Sequence, residues 1–194
     1  MQLNELIGIK KEISKKSKLP PVERRLETHG FEMLGDGASG SVWSHPGVNY
    51  VLKLFTADDQ SYLDFVRMVQ QDASNPHFPR FRGRPIQLTK HVFAVRMELL
   101  NKWQPNDASA LDRAIGTLMD VMYEAQNWKH SLGLKHEGSQ RDVVIAFRKW
   151  PQLEQAVQRL VDFEQAHAHA TWDLHHDNVM KRGSVPVFTD PFTY

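Results

Sequence analysis

Residues 171–192 read Thr171-Trp172-Asp173-Leu174-His175-His176-Asp177-Asn178-Val179-Met180-Lys181-Arg182-Gly183-Ser184-Val185-Pro186-Val187-Phe188-Thr189-Asp190-Pro191-Phe192. Two short strands are expected here, at Asn178–Met180 and Val185–Phe188, around a turn at Arg182-Gly183-Ser184. Asp173 and Asn178 stand five apart on the loop between a helix and the first of these strands, so both can aim at one site. One can accept a hydroxyl proton while the other binds a metal through its oxygen. Asp190, seventeen residues past Asp173, ends the second strand. Hard cations such as Mg²⁺ prefer oxygen ligands of the Asn178 and Asp190 kind.

Working outward, the chain upstream of this stretch is helical. Pro151 suits the first turn of a helix to about His169, with Leu153, Val157, Leu160, Val161 and Phe163 inward. Ala108 to about Lys129 carries Leu111, Ile115, Leu118, Met119, Met122 and Tyr123 at helical spacing. Gly133 and Gly138 mark a loop, and Val143–Trp150 is ambiguous between helix and strand. A polar stretch near Asn101–Asp107, containing Pro105, marks a boundary. The first half reads differently: extended runs at Phe31–Leu34, Ser41–Trp43, Tyr50–Phe55 and His91–Leu99, with one helix across about 59–73. Asp58 or Asp59 can cap that helix, and Tyr62, Phe65, Val66 and Val69 share its apolar face.

Within the first half, Gly35-Asp36-Gly37-Ala38-Ser39-Gly40 leads to Ser41-Val42. Glycines let a hairpin turn approach phosphates closely and offer backbone N–H donors. The motif precedes a strand rather than a helix, which disfavours a dinucleotide fold. Lys53 lies in an apolar strand, thirteen residues past Gly40. Buried there, its ammonium needs an anion; facing outward, with Leu52 and Leu54 on the other face, it needs none.

Taken in order, the Gly-rich loop, strand lysine, Asp-x-x-x-x-Asn loop and final aspartate resemble the parts of a protein-kinase-like phosphotransferase over about residues 31–192. The resemblance implies ATP and Mg²⁺ as cofactors. It places Gly35, Asp36, Gly37, Ala38, Ser39, Gly40 and Val42 over the nucleotide and Lys53 on its α/β-phosphates. Asp173 is then the catalytic base, and Asn178 and Asp190 hold magnesium. The adenine-gripping hinge falls at Glu98-Leu99-Leu100. The implied fold is α+β: a two-lobed protein-kinase-like architecture with a twisted antiparallel N-lobe sheet over 28–100 and a truncated, mostly helical C-lobe over 101–194. Residues 1–27 form a basic helical extension. Lys53, Asn178 and Asp190 are expected to converge on one cleft.

Several positions depart from the family pattern. Thr171-Trp172 replaces the usual His-Arg before the catalytic aspartate, and Asp173-Leu174-His175 is similar instead to aminoglycoside and choline phosphotransferases. Asp190-Pro191-Phe192 stands for Asp-Phe-Gly, and proline fixes its own φ. No glutamate occurs between residues 56 and 97 to pair with Lys53; Asp64 is the nearest substitute. The chain ends two residues after Phe192, without an activation segment. Such brevity resembles bacterial effector kinases and the small Ser/Thr kinases of T7-like phages. A minimal serine/threonine protein kinase acting on host or partner proteins is therefore expected, in the cytoplasm (the host's, for a phage or effector protein). Phosphorylation of Ser39 or Ser41 would repel ATP by like charge.

The composition is compatible with this reading. The 194 residues are 41% hydrophobic and 24% charged, with a net charge of +1, which argues against both disorder and a globally basic nucleic-acid binder. The absence of cysteine excludes disulfides, thiolate nucleophiles and Cys-ligated zinc. No apolar run is long enough to span a membrane. Residues 1–28 hold seven Lys/Arg against four Glu, fitting an amphipathic helix packed on the domain or a docking arm for an acidic partner, and Pro20-Pro21 is expected to end that segment. Two other classes compete. One is a pseudokinase that binds nucleotide or protein without turnover. The other is a metallohydrolase built on His167, His169, His175 and His176 with Asp173 and Asp177.

Overall fold

The computed structural model describes residues 10–11, 13–16, 18–104, 109–132, 147 and 149–193. The loop expected at Gly133 and Gly138, most of Val143–Trp150, Pro105 and residues 1–9 lie outside the described residues. The chain divides into two compact units, Met1–Gln70 with Arg80–Leu99, and Gln71–Pro79 with Leu100–Tyr194. The class is α+β, with an antiparallel sheet in the N-terminal unit as the sequence predicts.

The first unit is built on five strands: β1 (Glu32–Asp36), β2 (Gly40–Ser44), β3 (Tyr50–Thr56), β4 (Ile86–Gln87) and β5 (Val92–Glu98). Their order is β1-β2-β3-β5-β4, and every pairing is antiparallel. β3 and β5 register without interruption from Tyr50↔Glu98 to Thr56↔Val92. Alternation sends Leu52 and Leu54 to one face, where they join Trp43, Val92, Ala94 and the side chains Val22 and Leu26. Those last two come from α1 (Leu19–Thr28) and are fully buried. Each contributes about 1.5–3 kcal/mol by leaving water. The opposite face carries Lys53 and Phe55 and meets α2 (Gln60–Gln71), with Tyr62 packed edge-on to Phe55 at 4.9 Å. Asp59 starts α2, its Oδ1 accepting the Tyr62 N–H at 3.0 Å.

Two expectations change here, and one open alternative, for Lys53, is closed. Pro20 and Pro21 do not end the N-terminal segment; they occupy the first turn of α1, where a missing N–H costs no helical bond and φ is already helical. Lys53 is not an outward-facing strand lysine, because β3 is covered on both faces and Lys53 is itself buried. Ser41 is not an accessible loop residue. It lies in β2, buried on the α1 face, donating its hydroxyl to Glu23 Oε1 at 2.6 Å and accepting Trp43 Nε1–H at 2.8 Å.

The second unit contains α3 (Ala110–Leu132) and α4 (Pro151–Ala166), with five short strands. β6 (Asn101–Lys102), β8 (Val179–Arg182) and β9 (Val185–Phe188) form one sheet. β7 (Thr171–Trp172) and β10 (Phe192–Thr193) form a second antiparallel pair. Gly183 turns the β8–β9 hairpin at φ +61°, a conformation that disfavours side chains with a Cβ. α3 faces inward through Ile115, Leu118 and Met122, as the spacing predicts. Asp112 faces inward too, while Leu111 is only partly buried; Asp112 accepts Trp103 Nε1–H and pairs with Lys181 Nζ at 3.2 Å. α4 ends at Ala166 rather than His169, and His167 closes it by stacking on Phe163.

The segment 71–79 is fastened to α4 and to the β8–β9 hairpin. Asn75 Nδ2 donates to Gln152 O, His77 Nδ1 to Pro186 O, and Phe188 N to His77 O. Arg182 donates to the carbonyls of Pro76 and Phe78 at 2.7 and 3.0 Å. No helix among the described residues is long and apolar enough to cross a membrane.

The glycine hairpin gives a sharp test of packing. A Cβ at Gly40 would fall on the carbonyl oxygen of Leu54, which is backbone and cannot swing aside, whereas a Cβ at Gly37 meets nothing within 4 Å. Gly40→Ala is expected to destabilise the protein by about 1–3 kcal/mol. Gly37→Ala should stay within about 0.5 kcal/mol. Urea denaturation of both variants distinguishes them, and equal midpoints would contradict the packing described.

Candidate functional site

Three of the residues singled out from the sequence lie together at strand ends in the second unit. β7 delivers Asp173, β10 is preceded by Asp190-Pro191, and pairing of Trp172 with Phe192 sets the two segments side by side. The Asp173 N–H donates to the Pro191 carbonyl at 2.9 Å. Phe192 anchors this arrangement by stacking on Phe163 at 4.8 Å and lying against Trp172 at 4.8 Å. Asn178 stands immediately before β8, so the chain from Asp173 to Asn178 is a short loop between two fixed strands.

The Asn178 side chain bridges this loop. Its Nδ2 donates to the Asp173 carbonyl at 2.6 Å and reaches Asp173 Oδ2 at 3.2 Å and His175 Nε2 at 3.0 Å. With the amide nitrogen turned to Asp173, the side-chain carbonyl oxygen points elsewhere and is the atom that can meet a cation. The Asn178 backbone carbonyl accepts two bonds from one residue, the Thr189 N–H at 2.9 Å and the Thr189 hydroxyl at 3.0 Å. Asp173, Asn178 and the Thr189-Asp190-Pro191 segment thus close a hydrogen-bonded ring. One carboxylate oxygen of Asp190 is buried, while the Asp173 side chain is 42% exposed. An amide oxygen and a carboxylate are a donor set suited to a hard divalent cation.

The surrounding charges are polar-edge features. His175 Nε2 lies 3.8 Å from Asp173 Oδ1. Asp177 pairs with Lys102 at 3.1 Å and His176 at 3.2 Å. The hydrogen bond from Lys102 holds the Asp177 carboxyl below the usual carboxylate range, and the imidazole of His176 acts in the same direction. His175, His176 and Asp177 place ligand-type atoms within 4.8 Å of one another on the exposed surface. His167 and His169 are not part of that group: His167 Nδ1 bonds back to Phe163 O, and His169 packs edge-on against His167 at 5.6 Å.

The remaining candidates lie in the first unit. Gly35 and Asp36 end β1 opposite Val42 and Ser41, and Gly37 N–H bonds to Gly40 O to close the turn through Ala38 and Ser39. Gly35 and Gly37 have open space where a Cβ would be, so a ligand can approach that backbone closely. Val42 pairs with Lys53, and Lys53 with Val95, so all three occupy one face of the sheet. The Lys53 ammonium sits 3.8 Å from the centroid of the Tyr62 ring, an aromatic contact the sequence did not single out. Asp64 Oδ1 accepts Arg67 Nη1 and Gln60 Nε2. Glu98 is registered with Tyr50 on the face opposite Lys53, and its carboxylate caps the Arg80 N–H at 2.8 Å. Leu99 is exposed, and Leu100 is buried in the second unit.

No protein-family model and no curated protein matches this chain. Among solved structures it is similar to the aminoglycoside phosphotransferase APH(4)-Ia, at 14% identity over 85% of this chain and 68% of that one, with a TM-score of 0.37. A likeness of that size carries no functional inference, so the site is read from its own chemistry.

The His77 tether makes one titration visible. Burial, aided by the Arg182 guanidinium, lowers the imidazole pKa from its ordinary 6.5, against the opposing bond to Pro186 O. A depressed folded-state value means the unfolded chain binds the proton first, so stability falls as pH drops below about 6.5. In His77→Asn the amide nitrogen can replace the Nδ1–H donor without titrating. Its melting temperature should decline less than the wild type's between pH 7.5 and 5.5; parallel profiles would refute the assignment.

Proposed function

We propose that the protein is an ATP- and magnesium-dependent phosphotransferase of the protein-kinase-like kind, with a serine or threonine hydroxyl of a partner protein as acceptor. The observation that carries this reading is the ring joining Asp173, Asn178 and the Asp190 segment. It supports one carboxylate, exposed enough to meet an incoming hydroxyl, beside two oxygen donors suited to a divalent cation.

In this reading Asp173 orients the acceptor hydroxyl and takes its proton as phosphoryl transfer proceeds. Asn178, bonded to both the carbonyl and the carboxylate of Asp173, keeps that carboxylate from rotating away. Asn178 Oδ1 and Asp190 hold Mg²⁺, which when bound neutralises the charge of the phosphate oxygens. In the first unit, the backbone of Asp36–Ser41 and the Lys53 ammonium take the nucleotide phosphates. The Tyr62 ring, 3.8 Å from the Lys53 ammonium, offsets part of the cost of burying that cation.

Two substitutions separate the parts. Asp173→Asn keeps the shape and removes the proton acceptor. It should lower transfer from labelled ATP by about 10²-fold or more while ATP binding, measured by calorimetry, stays near wild type. Lys53→Met keeps the apolar stem and should abolish nucleotide binding without a large change in melting temperature. Normal transfer by Asp173→Asn would overturn its role. Wild-type protein that binds Mg·ATP but never labels a lysate protein, itself or a small alcohol would mark a nucleotide-binding module instead.

A further inference from the structure

Asn178 and Asp190 are twelve residues apart and sit on different strands' ends, yet a cation held between them needs their oxygens at a fixed spacing. The backbone bond from Thr189 N–H to Asn178 O supplies one constraint, as in any two-strand contact. The Thr189 hydroxyl supplies a second on the same acceptor. A carbonyl oxygen has two lone pairs, and both are engaged by one residue, which fixes the Asn178 peptide plane relative to the residue preceding Asp190. Thr189 is buried, so water does not compete for the bond. Its β-branching also restricts χ1, holding the hydroxyl toward its acceptor.

We propose that Thr189 is a positioning residue that sets Asn178 and Asp190 as a matched pair of oxygen donors for Mg²⁺, a role that rests on the phosphotransferase reading. It touches neither cation nor substrate. Through its hydroxyl it limits rotation of the Asn178 peptide, and with it the direction of the Asn178 side chain, whose nitrogen end is already fixed on Asp173. Second-sphere bonds of this kind orient metal ligands and are felt as changed metal affinity.

Thr189→Val is nearly isosteric and keeps the branch and the backbone N–H while deleting only the hydroxyl. Calorimetric binding of a non-hydrolysable ATP analogue, measured across a Mg²⁺ series, should show the variant needing about tenfold more Mg²⁺. Thr189→Ser should restore the wild-type requirement. In an Asp190→Asn background the Thr189→Val change should add nothing further, because the pair it aligns is already broken. As a readout independent of nucleotide, the Asn178 side-chain amide resonances should shift or broaden in Thr189→Val and not in Thr189→Ser. A lowered melting temperature with unchanged Mg²⁺ dependence and unchanged Asn178 resonances would assign Thr189 a purely structural role and overturn the proposal. Wild-type protein that binds the analogue equally with and without Mg²⁺ would overturn the phosphotransferase reading, and this role with it.

Discussion

The first unit depends on a strand that has no solvent face. β3 is bonded on both edges, by β2 and β5, and covered on both sides, by the apolar stripe of α1 and by the aromatic face of α2. A strand so enclosed tolerates a charged side chain only where something compensates it. Lys53 is the one basic residue of β3, and it meets an aromatic ring at cation–π distance. Its position is therefore set by the same burial that stabilises the sheet. The hairpin β1–β2 hangs from this strand, with Gly40 pressed to the Leu54 carbonyl, so the open glycines at 35 and 37 stand on a rigid base.

The second unit solves a different problem, how to hold a short polar loop without burying it. The solution is to fix the loop's two ends on separate strand pairs and to cross-link its middle. β7–β10 fixes one end and β8–β9 the other, while Phe192 locks the first pair against α4. Asn178 and Thr189 then supply the links that span between them. Exposed carboxylates gain little from surface ion pairs in water. Covalent proximity to a buried strand fixes such a group more firmly, and Asp173, directly after Trp172 of β7, is placed that way.

Much of this was legible in the sequence, for reasons that differ by element. The period of Tyr62, Phe65, Val66 and Val69 places α2, and that of Leu153 through Phe163 places α4, because both helices bury one broad face. The loop Asp173–Asn178 and the two following strands are readable because polar and β-branched runs alternate there. What could not be read was which faces are covered. Leu52 and Leu54 flanking Lys53 look like simple alternation, and only α2, arriving from later in the chain, turns the other face into an interior. Asp112 was missed because its partners, Trp103 and Lys181, are distant in sequence. Thr189 was missed because a β-branched polar residue at a strand end has no local mark distinguishing a structural hydroxyl from an idle one. Pro20-Pro21 was misread because the same pair can stop a segment or start a helix, and what decides is the apolar spacing that follows, Val22 and Leu26.

That diproline start has a consequence for how the N-terminal region can vary. A helix ordinarily begins with four amide hydrogens seeking acceptors, and a capping side chain or an anion meets them. In α1 two of those hydrogens do not exist, and Lys18 makes no capping bond. The helix therefore asks almost nothing of the residues before it. Its anchorage comes chiefly from Val22, Leu26 and Glu23, downstream of the prolines, with Leu19 packed beside them. What ties the residues just before Leu19 to the sheet is therefore not the helix start but two separate contacts, Ile13 in the apolar cluster and the Lys15 carbonyl accepting the Lys90 N–H at 2.9 Å. A change there is felt through packing and one backbone bond, while the helix itself begins independently of it.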